Sequence, residues 1–396
     1  MTAEILKILE RLIAFPTISR QSNLALLDYV EGLLRPVGVR LTRYPDQSGT
    51  CANLWASTGP AIAGGVVLSG HSDVVPTEGQ QWTTDPFTLH ERDGLLYGRG
   101  AADMKGFLAV AIHAMLRAAE RPLKRPLHLA ISYDEEIGCV GVRSMLEARR
   151  AHPERPALCL IGEPTGMRIA SGHKGKRALT ASCHGQEAHS ALAPTALNAL
   201  HLGAAFIGRM QARQDALRAE GARDPAYDIP YSTIHVGTMH GGTALNIVPK
   251  RCDMELELRN VAADDPDAIL QAIRMDAEAV AAPHRKLFPE VWIEVQEVTG
   301  YPGLDTPDTS PATAFLQKLL GQDEPPIKVA FGTEAGLFAQ AFNAPTLVCG
   351  PGHMAQGHRP DEFVAQEQLV RCQDLLALIT GTLEQDADLW REHNYP

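Results

Sequence analysis

His71 and Asp73 stand two residues apart in Gly70-His71-Ser72-Asp73, just after the run Val66-Val67-Leu68-Ser69. On an extended segment that spacing points both side chains to the same side. Farther along, Asp103 follows a glycine-rich turn and the pair Glu135-Glu136 follows the run Leu127–Ser132. Glu163 comes after Ala157–Ile161, and His358 lies beyond Thr346–Gly350. Carboxylates and imidazoles without sulfur suit zinc, manganese or cobalt(II). Brought into one place, these acids would repel one another strongly unless cations were present. A carboxylate shared by two cations would hold them ~3.5–4 Å apart, the arrangement of two-metal hydrolases. Taken singly, each residue has a blander reading. Asp103 could cap a helix, Glu135-Glu136 could be a solvated turn, His71 a half-buried histidine and Glu163 a loop residue before Pro164. Their recurrence at the ends of several apolar runs is what favours cation chemistry.

Such residues need a frame that collects them. Short apolar runs bounded by Gly and Pro read as buried strands, here Val66–Gly70, Leu127–Ser132, Ala157–Ile161 and Thr346–Gly350. Between the first two lies a helical pattern from Lys105 to Glu120, with Phe107, Leu108, Val110, Ala111, Met115 and Leu116. Strand–helix alternation predicts an α/β domain with a mixed, mainly parallel sheet flanked by helices. In such sheets ligands collect at the carboxyl ends of the strands. The opening residues Met1–Pro16 read as an amphipathic helix, with Ile5, Ile8, Leu9 and Leu12 on one face, and lack the features of a secretory signal.

The middle of the chain changes character. It predicts a strand over Lys176–Gln186, a long helix over Pro194–Glu220 ended by Gly221, and strands Ser232–Met239 and Ile247–Arg259 joined by a Gly241-Gly242 turn. A helix Asp265–Ala281 and a strand Val291–Val298 follow. This β-α-β-β-α-β order is ferredoxin-like and is most economically an insertion. Gly172-His173-Lys174-Gly175 and Gly300-Tyr301-Pro302-Gly303 serve as expected hinges. The expected division is 1–174 with 301–396, and 175–300 between them.

Composition removes several classes. The 396 residues carry 36 Lys plus Arg against 47 Asp plus Glu, a net charge of −11, which disfavours nucleic-acid and membrane partners. No apolar run reaches the ~20 residues of a membrane span. The seven cysteines are scattered without a CxxC pair, which suits reduced thiols in a cytoplasmic protein and gives no thiolate zinc site. There is no Gly-x-Ser-x-Gly elbow for a serine hydrolase. Gly98-x-Gly100 is followed by Asp103 where a dinucleotide fingerprint needs a third glycine, and no phosphate-binding Gly-Lys-Ser/Thr motif occurs.

The stretches Gly70-His71-Ser72-Asp73-Val74-Val75-Pro76, Gly98-Arg99-Gly100-Ala101-Ala102-Asp103-Met104-Lys105-Gly106, Asp134-Glu135-Glu136-Ile137-Gly138 and Gly162-Glu163-Pro164-Thr165 closely resemble the motifs of the M20 family of co-catalytic metallohydrolases. The likeness covers nearly the whole chain, the insertion included. It implies an aminopeptidase-like fold whose insertion is a lid and dimerisation domain, and two divalent ions, with zinc expected and cobalt(II) or manganese as alternatives. By this resemblance His71 and Glu163 hold one ion, Glu136 and His358 the other, and Asp103 bridges them. Asp73 orients His71, and Glu135 is the general base. The peptide after Asp103 is expected to be cis. His353 competes with His358 for the last ligand position, and the Arg359-Pro360-Asp361-Glu362 context favours His358.

In the insertion, His189 resembles the family's lid histidine, which stabilises the oxyanion in the partner subunit's site. Asn246 and Arg259 match positions that contact substrate, with Arg259 suited to bidentate capture of a carboxylate; its plainer reading is an ion pair with Glu255 or Glu257. Glu334, in Gly332-Thr333-Glu334-Ala335, is expected either to attract a substrate ammonium or to stabilise its turn. His173 and His184 read as structural. The resemblance implies hydrolysis of N2-acetyl-L-ornithine to ornithine and acetate in arginine biosynthesis. Competing expectations are a succinyl-diaminopimelate desuccinylase, a dipeptidase, and a non-catalytic metal-stabilised binding protein.

Overall fold

The computed structural model describes residues 1–385, and the chain divides into two compact units. The first unit contains Met1–Gly172, Leu304–Val329 and the described residues from Thr333 onward; the second contains His173–Gly303 and Ala330–Gly332. The main bounds fall within a few residues of those expected, but Ala330–Gly332, expected in the first unit, group with the second. Tyr301–Gly303 stay with the second unit because the last strand of that unit runs through Tyr301, which pairs with Lys176.

The first unit begins with α1 (Ala3–Ile13) and α2 (Leu24–Leu34), followed by β1 (Arg40–Pro45), β2 (Ala52–Thr58), β3 (Gly65–His71), β4 (His90–Arg92) and β5 (Leu95–Tyr97). Then come α3 (Gly106–Ala119), β6 (Leu127–Ser132), α4 (Val142–Arg150), β7 (Pro156–Pro164) and β8 (Ala170–His173). Thr2 caps α1 through its hydroxyl, and Ile5, Ile8, Leu9, Leu12 and Ile13 are the face it buries. The second unit supplies β9 (Gly175–His184), α5 (Ala199–Glu220), β10 (Thr233–Gly241), β11 (Arg251–Asn260), α6 (Pro266–Ala281) and β12 (Trp292–Tyr301). The chain returns to the first unit with β13 (Leu304–Asp305), α7 (Pro311–Leu320), β14 (Ile327–Val329), α8 (Ala335–Phe342), β15 (Thr346–Gly350), β16 (Phe363–Ala365) and α9 (Gln366–Leu383).

The large sheet runs β1-β2-β6-β3-β7-β15-β8-β13, with β14 on β8. Its centre, β6-β3-β7-β15, is parallel throughout, so four carboxyl ends open on one edge. The β1–β2, β2–β6 and β15–β8 pairs are antiparallel, which makes the sheet mixed. Burial on both faces explains the largely apolar runs of β3, β6 and β7. Helix α3 is buried almost all round, and a Cβ on Gly162 would enter the Phe107 ring. Glycine there lets β7 pass under α3 just before Glu163. A small sheet of β16, β5 and β4 completes this unit.

In the second unit, β10-β11-β9-β12 form an antiparallel sheet. Leu179, Phe206, Leu256 and Ile273 share its separate core. Two expected boundaries move. The helix begins at Ala199 with Asn198 as its cap, because Ser190–Thr195, with Pro194 inside, forms a separate 3₁₀ turn. The strand expected from Ile247 begins at Arg251, since residues 242–250 form an exposed loop capped by buried Val248. All seven cysteines are free and buried. Among the described residues no helix is long and apolar enough to cross a membrane.

Candidate metal centre

His71 ends β3, Glu135 and Glu136 follow β6, Glu163 lies near the end of β7, and the loop after β15 carries His358. The parallel centre of the sheet thus delivers these side chains to one edge. Asp103 arrives differently. It sits in a tight turn, Ala101–Lys105, ahead of α3 rather than at the helix N-cap, and its own backbone is non-helical. The Asp103–Met104 peptide is cis.

The six side chains meet. Asp103 places one carboxylate oxygen 3.1 Å from His71 Nε2 and the other 3.2 Å from His358 Nε2. Glu163 Oε1 lies 3.8 Å from His71 Nε2, and Glu136 Oε2 2.9 Å from His358 Nε2. Donor atoms of His71, Glu135 and Glu163, and of His71, Asp103 and Glu136, fall within 4.8 Å of one another. One carboxylate facing two imidazoles, each with a further carboxylate, is a donor set that fits two divalent cations.

Electrostatics agree with that fit. Burial pushes the Glu163 and Glu135 carboxyls well above their ordinary range, and burial with the Asp103 charge lifts Glu136 to about 7. Hydrogen bonds to Asp103 and Glu136 raise His358 to about 10. Burial opposes protonation of His71, yet Asp103, Asp73 and Glu163 hold it well above its usual value. These acids are too crowded to be ionised together without cations.

Asp73 does more than face His71. The His71 Nδ1–H is 2.9 Å from the Asp73 main-chain oxygen, and the Asp73 carboxylate is 3.5 Å away. That carboxylate instead accepts the main-chain N–H groups of Glu135 and Glu136 at 3.0 and 3.3 Å and the Ser19 hydroxyl at 2.8 Å. It holds the turn that presents both glutamates. The Cys139 thiol, which sequence reasoning passed over, donates to Glu135 Oε1 at 3.1 Å. His353 is turned away: its Nε2 lies 3.0 Å from Gln368 Nε2 and its ring packs against Gly166. His358, by contrast, faces Asp103 and Glu136.

Glu334 is 1% exposed, as deeply buried as His71. Its carboxyl lies against Ser132 and Ser69, and burial raises it to about 7. In the second unit, exposed His189 accepts the Ala191 N–H on Nδ1 and pairs with Ile247. Exposed Asn246 lies beside it, its carbonyl accepting the Ser190 N–H at 2.9 Å. Arg259 makes the plainer contact expected of it, with Nε 2.5 Å from Glu257 Oε1. His173 is buried against Tyr301, and His184 stacks on Trp292 at 4.2 Å, both structural placements.

The profile of Peptidase family M20/M25/M40 matches residues 67–381. The chain belongs to the M20 peptidase family. It is therefore a metal-dependent amidohydrolase. It is 34% identical over 382 residues to the acetylornithine deacetylase of Klebsiella pneumoniae (strain 342), covering 94% of this chain and 96% of that one. The acetylornithine deacetylase of Photorhabdus laumondii is 33% identical, with 91% and 92% covered. Among solved structures, the M20 metallo-carboxypeptidase Sso-CP2 from Sulfolobus solfataricus superposes with a TM-score of 0.76 at 19% identity, over 97% of this chain and all of that one. The Bacillus subtilis YXEP protein, a dinuclear metal-binding M20 peptidase, gives 0.70 at 16% identity, over 96% and 98%. These structural likenesses establish the shared fold.

Proposed function

We propose that this M20 amidohydrolase removes the acetyl group from N2-acetyl-L-ornithine, giving L-ornithine and acetate in arginine biosynthesis in the cytoplasm. The relatives named acetylornithine deacetylase support the substrate. The observation that carries the chemistry is Asp103, with one oxygen on each of two imidazoles beside buried Glu135. In this reading His71 and Glu163 hold one cation, Glu136 and His358 the other, and Asp103 serves both. Zinc is the metal this donor set suits best, with cobalt(II) or manganese able to replace it. Bound there, the cations would polarise the scissile carbonyl and lower the proton affinity of a nearby water.

Glu135 takes a proton from the attacking water as its oxygen adds to the acyl carbon. It then passes that proton to the nitrogen as the C–N bond breaks, since a neutral amine leaves far more readily than its anion. Burial suits the task by raising the proton affinity of the carboxylate. Asp73 keeps Glu135 and Glu136 in register. His189, supplied by the second copy of a homodimer formed through the second unit, donates to the developing oxyanion. Asn246 and Arg259 bind the substrate's amino-acid part, with Arg259 exchanging Glu257 for the α-carboxylate.

The test is a rate comparison on the zinc- or cobalt-loaded protein. N2-acetyl-L-ornithine should exceed N-succinyl-diaminopimelate and a dipeptide by roughly 100-fold in kcat/KM. Equal or faster turnover of the succinylated compound or the dipeptide overturns the assignment. Activity that survives exhaustive chelation removes the metal mechanism altogether.

A further inference from the structure

Arg99 and Glu362 form an ion pair of 2.7 Å in the first unit, each only 1% exposed. Taking such a pair out of water is costly, and an apolar pair would often serve stability as well. Its remaining bonds show what it holds. Glu362 Oε1 accepts the main-chain N–H groups of Ala102 and Asp103, both at 3.0 Å. Arg99 donates to the Arg359 carbonyl at 3.3 Å and to Gln80 Oε1 at 2.5 Å. Gln80 in turn donates through Nε2 to the His358 carbonyl at 2.9 Å.

His358 has φ +61° and Asp361 φ +56°. A left-handed conformation is unfavourable for a non-glycine residue, so external bonds must hold this loop in shape. Its bonds to Gln80, Thr83 and Arg99 supply them, with Asp361 accepting the Thr83 N–H at 2.9 Å. Two segments far apart in sequence, one carrying Asp103 and the other His358, are thus bolted to the same buried pair.

We propose that Arg99, Glu362 and Gln80 are positioning residues that fix Asp103 against His358 and thereby set the affinity of the cation site nearer His358. The proposal rests on the two-cation reading above but not on the identity of the substrate. Partners that orient metal ligands typically contribute 10–100-fold in metal affinity.

The experiment titrates metal-free protein with Co²⁺, following visible absorption, together with elemental analysis and the melting temperature. No substrate enters. Wild type should bind two ions. Gln80→Met, which buries no unpaired charge, should weaken one ion ~10-fold, leave the other unchanged and keep the melting temperature within a few degrees. Glu362→Gln should retain one ion at most. In a His358→Ala background, Gln80→Met should add no further loss, because its effect passes through His358. Should Glu362→Gln fail to fold, the Gln80→Met pair of measurements decides alone. Unchanged binding of both ions in Gln80→Met, or an equal loss with and without His358, overturns the proposal. A wild-type chain that binds fewer than two ions overturns the two-cation reading as well, while two ions without acetylornithine turnover would reject only the substrate.

Discussion

The two units hold their candidate residues in opposite ways. In the first, Asp103, Glu163 and His71 are buried, and each side chain leans on another candidate. Glu135 and Glu136 are fixed through their own backbone by Asp73. In the second, His189 and Asn246 are exposed, and Arg259 is only partly covered and paired with Glu257. Short-range side-chain bonds hold two of them, His189 to Ala191 two residues on and Arg259 to Glu257 two residues back. Burial strengthens every charge interaction and makes misplacement costly, which suits the chemistry proposed for the first unit. The exposed side chains of the second can exchange one partner for another at little cost, as binding requires.

The largest effect expected from this contrast is at Glu135. Glu135→Gln should lower kcat by roughly 10²–10⁴ while leaving both cations bound, read by steady-state kinetics beside elemental analysis. Loss of a cation in this variant would recast Glu135 as a ligand. A smaller effect, and in a different constant, is expected at Arg259. Arg259→Gln should raise KM roughly tenfold or more with kcat changed by a few-fold at most, the pattern of lost uniform binding. If kcat instead collapsed as far as in Glu135→Gln, the division into a chemical and a binding unit would fail.

The smallest effect concerns stability in acid, and here the two units should behave alike. Burial lowers His128 in the first unit to about 3 and His173 in the second to about 4, from an ordinary 6.5. Between those values the unfolded chain binds protons that the folded chain does not, so stability rises with pH. The contribution of each is complete above about 6.5 and is lost as pH falls toward 3 or 4. His128→Gln and His173→Gln should each flatten the slope of the urea midpoint between pH 6.5 and 4.5. A slope unchanged in both would mean that other groups set the acid limit.

Much of the site was legible because its residues stand where apolar runs stop. His71, Glu135, Glu136 and Glu163 each follow a strand whose burial shows in its composition, and parallel strands bring their ends to one edge. His358 needed its motif context, since nothing local separates it from His353. What lay hidden was the support. Arg99 and Glu362 are charged residues in glycine-rich and loop segments, and their burial follows only from the approach of chain segments more than 250 residues apart. The one local hint was that Glu362 comes four residues after His358 and Arg99 four before Asp103. The pattern that predicts a helix from Pro194 does not distinguish residues 194–198 from the helix proper, whereas Ser190–Thr195 form a 3₁₀ turn and the helix starts only after the Asn198 cap.

By itself the amino-acid sequence determined the alternation of strands and helices, the inserted β-α-β-β-α-β unit and the residue types able to bind cations, because these depend on patterns within a dozen or so neighbours. The tertiary structure alone decided that Asp103 turns one oxygen to each imidazole, that Asp73 grips the Glu135–Glu136 turn and that Glu334 is sealed from solvent. Those outcomes depend on distances of a few ångströms between side chains from separate strands. Such distances are set by how the whole core packs, and no local pattern encodes them.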